Sequence, residues 1–234
     1  MIKRVDFNGL FKSKHGWLNS SFHFSFAEYY RKDNVHFGAL RVMNDDNIAP
    51  HTGFDTHPHK DMEIFTYILS GKLTHQDSMG NKETLGRGDV QYMSAGTGVY
   101  HSEKNENDEN LRLIQTWILP DVYNHTPDYG SKRYTKEDRS NKWLHILSGK
   151  DKNAIHINQD IEVLVSELDS EKTLIYKFED DRQIYLKVME GMVSVNGEKL
   201  FFGDACEIMD ESEIVIKAEE NSHLMLIDLS KNFK

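Results

Sequence analysis

Short runs of β-branched and aromatic residues, bounded by turn residues, follow one another along the whole chain. In the first half they are Gly38-Ala-Leu-Arg-Val-Met43, Glu63-Ile-Phe-Thr-Tyr-Ile-Leu69 and Leu111-Arg-Leu-Ile-Gln-Thr-Trp-Ile118. In the second half, Ile161-Glu-Val-Leu-Val165, Thr173-Leu-Ile-Tyr-Lys-Phe178, Gln183-Ile-Tyr-Leu-Lys-Val188 and Ile214-Val-Ile-Lys217 alternate in the strand manner. Val193-Ser-Val-Asn-Gly197 is a strand running into an Asn-Gly hairpin turn. No long segment has helical periodicity. Many short strands at close spacing predict an all-β protein built as a sandwich or barrel.

The stretch from Asp121 to Lys142 interrupts this pattern. Its large apolar groups are Val122 and three tyrosines, and it holds Pro127, Gly130 and mixed charges. It is expected to be an interdomain connection with room for a short helix. The two flanking halves share a faint repeat. Leu69-Ser-Gly71-Lys precedes Gly88-Asp89-Val, and Met189-Glu-Gly191-Met precedes Gly203-Asp204-Ala. In each half a strand ends in glycine, a hairpin follows, and Gly-Asp opens the next strand. Two copies of one β fold are therefore expected, over residues 1–125 and 126–234.

Composition narrows the class of function. The 234 residues include 28 basic and 38 acidic ones, for a formal charge of −10. This argues against a nucleic-acid surface, which needs clustered Lys and Arg to displace phosphate counterions. Cys206 is the single cysteine, so neither an internal disulfide nor a thiolate metal cage is available. The first residues carry no apolar signal-peptide core, and the longest apolar runs fall far short of the roughly 20 residues of a membrane helix. A soluble, cytoplasmic protein without membrane contact is expected.

Candidate chemistry lies in two short motifs. In a strand, residues i and i+2 point to the same face. His57-Pro-His59 can thus present both rings to one ion, and Asp61 and Glu63 keep the same parity if the strand continues. His101-Ser-Glu103 repeats the arrangement on a later strand. If one barrel brings the pairs together, the site holds three imidazoles and one carboxylate.

The spacing His57-x-His59-x3-Glu63-x7-Gly71, followed by Gly88 … Gly98-x2-His101-x3-Asn105, resembles the paired motifs of the cupin superfamily. More narrowly, the first half resembles the pirin family. This likeness is carried by His15-Gly-Trp-Leu-Asn-Ser20, Phe22-His-Phe-Ser-Phe-Ala27, Arg41-Val-Met-Asn-Asp-Asp46, Thr56-His-Pro-His-Lys-Asp-Met-Glu63, His75-Gln-Asp-Ser-Met-Gly-Asn81 and Met93-Ser-Ala-Gly-Thr-Gly-Val-Tyr-His-Ser-Glu103. The second half matches as a degenerate cupin, with the Gly-Asp turn but no His-x-His. The resemblance implies two tandem cupin (jelly-roll) domains, a bicupin, with a metal in the N-terminal domain only. It implies the ligands His57, His59, His101 and Glu103. The general cupin pattern would instead use Glu63, which here is expected beside the site, orienting a ligand imidazole.

Three neutral nitrogens and a carboxylate without sulfur suit Fe(II), Mn(II), Ni(II), Co(II) or Zn(II); the resemblance implies iron. Several pirin-like proteins act as quercetin 2,3-dioxygenases, so a flavonol-like aromatic substrate and O2 are expected. Glu103 is the expected general base, because it would sit at the ion within reach of the substrate hydroxyl proton. Other family members are regulators or protein-binding factors. The competing expectation is a non-enzymatic module with a structural or redox-sensing metal and a protein partner. Phe22, Phe24, Phe26, Phe54 and Trp17 are candidate pocket walls. His23 and His75 are expected to be hydrogen-bonded structural residues, and Asn44-Asp45-Asp46 a turn.

Overall fold

The computed structural model describes residues 1–232 and divides the chain into two compact units. In chain order the strands are β1 Ile2–Val5, β2 Phe11–Lys14, β3 Leu18–Phe22, β4 Leu40–Ile48, β5 Thr52–His59, β6 Glu63–Ser70, β7 Leu73–Asp77, β8 Lys82–Leu85, β9 Val90–Ser94, β10 Val99–Asn105, β11 Leu111–Ile118 and β12 Asp128–Lys132. They continue as β13 Leu144–Ser148, β14 Ile155–His156, β15 Ile161–Leu168, β16 Thr173–Lys177, β17 Arg182–Glu190, β18 Val193–Val195, β19 Glu198–Leu200, β20 Ala205–Ile208, β21 Glu213–Ala218 and β22 Ser222–Ser230. A single α-helical turn, α1, spans Lys136–Arg139.

Each unit is a cupin-type jelly roll made of a large and a small sheet. In Phe11–Arg133 the large sheet runs β12-β9-β6-β11-β4-β3-β2 and the small one β5-β10-β7-β8. In the second unit the orders are β1-β20-β17-β22-β15-β13-β14 and β16-β21-β18-β19. The two topologies superimpose strand for strand over eight places, from β4 with β15 to β11 with β22. The Gly-Asp repeat has a physical basis in this match. Gly88 and Gly203 both hold φ +83°, a left-handed conformation open to glycine. The aspartate that follows each accepts a backbone N–H three residues back, Gly86 to Asp89 at 2.8 Å and Phe201 to Asp204 at 2.9 Å.

Two expectations about the boundary are corrected. The first ten residues fold with the second unit, because β1 pairs antiparallel with β20 and Asp204 accepts hydrogen bonds from Arg4 and the Phe7 backbone. Part of the supposed connection, β12, is an edge strand of the first unit, paired with β9. The anticipated short helix follows it, with the Asp138 carboxylate accepting the Thr135 N–H at 2.8 Å.

The interiors of the units differ where the strands match. On β10 the inward positions are Val99, His101, Glu103 and Asn105, all buried. On the corresponding β21 they are Ile214, Ile216 and Ala218, which pack into one apolar core with Leu174 and Tyr176 of β16. Among the described residues no helix is long and apolar enough to cross a membrane.

Candidate metal centre

Strands β5 and β10 are hydrogen-bonded neighbours, and His101 lies directly across from His57. Period-two geometry puts His59 on the same face as His57, so three rings converge, with centroid separations of 4.5 to 4.8 Å. A bulge between His101 and Glu103 shifts the register against β5, so that Glu103 faces Phe54. At that bend Gly53 holds φ +149°, and a Cβ there would meet the Glu103 carbonyl oxygen at 2.3 Å. The close approach of β5 to β10 therefore requires glycine.

The ring nitrogens suit a cation. His57 Nδ1 lies 2.7 Å from the Asp55 carbonyl, which can only accept, so Nδ1 carries the proton and Nε2 keeps its lone pair. That lone pair faces His101 Nε2 at 3.0 Å. Two ligands about 2.1 Å from one ion at a right angle stand about 3 Å apart. Burial, reinforced by the neighbouring imidazoles, pushes His101 down to about 3 and His59 to about 4, so both rings are neutral at physiological pH, the form that can bind a cation. His101 Nδ1 is buried without a hydrogen-bond partner among the described residues.

Glu103 belongs to an adjoining triad with His101 and His75, which shares His101 with the three-histidine group. Its carboxylate is held from the opposite sheet, Oε1 accepting from Thr66 Oγ1 at 3.1 Å and Oε2 from Gln115 Nε2. Thr66 and Gln115 are cross-strand neighbours on β6 and β11, and Asn44 of β4 continues the row. A polar ladder thus crosses the inner face of the large sheet, and Glu103 reaches onto it from the small one.

The other acid stands elsewhere. β5 ends at His59, Asp61 adopts φ +49°, and Glu63 opens β6 in the large sheet, so the strand parity does not extend from His59 to Glu63. Glu63 is fully buried and accepts the Tyr92 hydroxyl at 2.5 Å; it belongs to neither ligand group. His75, expected to be structural, sits across from Glu103 on β7 with its ring 5.4 Å from His101. Its Nε2 is 3.1 Å from Asp77, and its ring stacks on Tyr129.

A cavity of about 200 Å³ adjoins the centre, lined among others by Trp17, Phe22, Phe26, Phe54, Asn44 and Gln115. Four of the five expected aromatics are therefore walls. Phe24 instead lies in the core, 2% exposed. Phe54 is 6.3 Å from the His57 ring, and Trp117, at 4.9 Å from His59, meets Phe26 edge-on.

Asn44-Asp45-Asp46 is not a turn but the buried middle of β4. Asp45 turns outward to a two-pronged ion pair with Arg112, and Asp46 turns inward, bonded to Ser20. Burial, reinforced by Asp45 and Glu103, pushes Asp46 up to about 7. Its folded value lies above its unfolded one, so the stabilising effect of the bound proton is complete below about pH 4 and is lost as pH rises through 7. Asp46→Asn is expected to remove that slope. Between pH 5 and 8 the metal-free wild type should lose stability relative to the variant, on the order of 2–4 kcal/mol. Paired denaturant melts check this; parallel pH profiles would contradict it.

Comparison with known proteins places these features in a family. Residues 5–118 match the family model Pirin, and residues 145–229 match the model described as quercetinase C-terminal cupin domain. A pirin-like protein of Caulobacter vibrioides is 46% identical over 97% of this chain and 99% of its own. A quercetin 2,3-dioxygenase of Escherichia coli K12 is 42% identical over 93% of this chain and 94% of its own. Among solved structures, that of the bacterial pirin YhhW from Escherichia coli in complex with nickel(II) superimposes with a TM-score of 0.93 at 40% identity, covering 98% of this chain and 99% of that one. With matching models in both halves and relatives of this identity along nearly its whole length, the chain belongs to the pirin family.

Proposed function

We propose that this protein is a metal-dependent dioxygenase of the quercetin 2,3-dioxygenase type, opening a flavonol-like ring with O2. Its ion is held by His57, His59, His101 and Glu103, and iron is the expected metal. The observation that carries the reading is the convergence of three imidazoles beside a buried carboxylate, next to an aromatic-walled cavity. The relatives named quercetin 2,3-dioxygenase support it.

When bound, a divalent cation supplies Lewis-acid stabilisation of an enolate oxygen and a centre for dioxygen chemistry. The protein's own part is orientation and proton handling. The Asp55 carbonyl fixes the His57 tautomer. Thr66 and Gln115 each engage one Glu103 oxygen, and the remaining lone pairs serve the ion and the substrate hydroxyl proton. Glu103 is the general base in this scheme. Trp17, Phe22, Phe26 and Phe54 hold the aromatic body and keep water from it.

The Fe(II)-loaded protein is expected to consume O2 and bleach quercetin well above free Fe(II) at the same concentration, while the metal-free protein does neither. Oxygen-electrode and absorbance traces on one anaerobically prepared sample test this. Turnover no faster than the free-iron control across several flavonols would reject the dioxygenase reading and favour a regulatory module.

A further inference from the structure

Asn44, a lining residue of the cavity beside the metal centre, carries an unanswered polar atom. Asn44 is 3% exposed and lines the cavity, and its Oδ1 is buried with no hydrogen-bond partner among the described residues. Burying a carbonyl oxygen unsatisfied is costly, so such a group is normally met by a ligand or an ordered water. Because Oδ1 can only accept, whatever answers it must be a donor.

The rest of the wall defines what carries that donor. Trp17 and Phe54 meet edge to face at 5.1 Å, and Phe22 and Phe26 do so at 5.2 Å, giving apolar faces suited to a flat ring. Cross-strand pairing sets Phe22, Asn44 and Gln115 side by side on β3, β4 and β11. Ser13, His15 and Glu28 also line the cavity, and His15 and Glu28 are half exposed, which gives it a solvent-facing rim. The volume of about 200 Å³ compares with the roughly 150 Å³ cavity that accepts benzene. It suits one substituted ring and is smaller than the roughly 300 Å³ and above of sites that enclose drug-sized, multi-ring ligands.

We propose that this cavity is a subsite for a single hydroxylated aromatic ring, in which a phenolic O–H donates to Asn44 Oδ1 between the Trp17–Phe54 and Phe22–Phe26 walls. Gln115, which lines the cavity and donates to Glu103, stands between the ring and the metal centre. The assignment rests on the dioxygenase reading for its sense, since it names the ring that the enzyme would grip while the rest of the substrate reaches the ion. Binding of the ring needs neither metal nor turnover.

The test uses metal-free full-length protein, because catechol chelates metals. Catechol and 1,2-dimethoxybenzene share a ring, but only catechol can donate. Calorimetric titration or equilibrium dialysis is expected to give one catechol per chain, bound at least about tenfold more tightly than the dimethoxy compound, the scale of one buried hydrogen bond. Asn44→Leu, close in size, should cost catechol at least about tenfold and leave the dimethoxy compound nearly unchanged. A wild-type preference below tenfold overturns the proposal whether or not the variant folds. So does catechol binding that survives Asn44→Leu. A failed turnover assay with intact catechol selectivity would instead count against the dioxygenase reading alone.

Discussion

Replacing His57 and His59 together by alanine is expected to abolish metal retention while leaving the fold nearly intact. Wild-type protein should carry one ion per chain, and the double variant close to none. The geometry explains why both halves of the result belong together. The three imidazoles bring their ring nitrogens within 4.8 Å of one another, and removing two leaves His101 in the buried triad with Glu103 and His75, whose Nε2 is already engaged by Asp77 at 3.1 Å. With His75 tied to Asp77 and stacked on Tyr129, that remnant is expected to give up a first-row divalent ion to dialysis with a chelator. The fold is insulated from the change. β5 is an edge strand, both histidines are half buried, and His57 hydrogen-bonds the Asp55 carbonyl two residues away on the same exposed strand. Substitutions at such positions shift stability by about 0.5–1 kcal/mol. Elemental analysis after chelation and reloading, with a thermal melt of the same samples, measures both effects. An ion retained by the variant, or two ions per wild-type chain, would refute the one-site assignment.

The convergence of His57-Pro-His59 and His101-Ser-Glu103 was legible in the sequence because each pair obeys a local rule. Two residues apart in a strand means one face, and that holds without knowing the neighbouring strands. The internal repeat was legible for a similar reason, since a glycine at positive φ followed by an aspartate that caps its own turn is local chemistry. What stayed hidden depends on pairing across long separations. Nothing near Ile2–Val5 announces that it completes a sheet with Ala205–Ile208, or that Asp128–Lys132 joins Val90–Ser94. Asn44-Asp45-Asp46 has the composition of a turn. It becomes strand because Arg112 and Ser20 on the flanking strands answer its two acids. His75 reaches the centre through its pairing opposite Glu103, which no spacing near His75 encodes. A usable signal was present for Gln115: a glutamine inside the apolar run Leu111–Ile118 needs a buried partner, and Glu103 is that partner.

The two acids give the sharpest separation. Glu103→Gln is expected to weaken metal binding and to lower flavonol turnover by about 100-fold or more, the usual range for losing a general base. Glu63→Gln is expected to keep the ion, with effects no larger than the 10–100-fold typical of residues outside the ligand set. The contrast follows from what each carboxylate touches. Glu103 lies in a triad with His101 and is gripped by Thr66 and Gln115, both of which can act as donors. An amide at 103 keeps the shape but removes the negative charge and the proton acceptor. It also turns an N–H toward a partner that offers one. Glu63 accepts from the Tyr92 hydroxyl, and a glutamine carbonyl can accept that bond unchanged. Tyr92 itself is held protonated, because burial and then Glu63 push its hydroxyl well above the usual phenol range, so it remains a donor in the variant. Metal content and turnover should therefore fall together at position 103, while the variant at 63 keeps its ion and loses at most about 10–100-fold. If Glu63→Gln loses the ion and Glu103→Gln keeps it, the fourth ligand is the acid of the general cupin pattern, and Glu103 reverts to a buried hydrogen-bonding residue on the polar ladder.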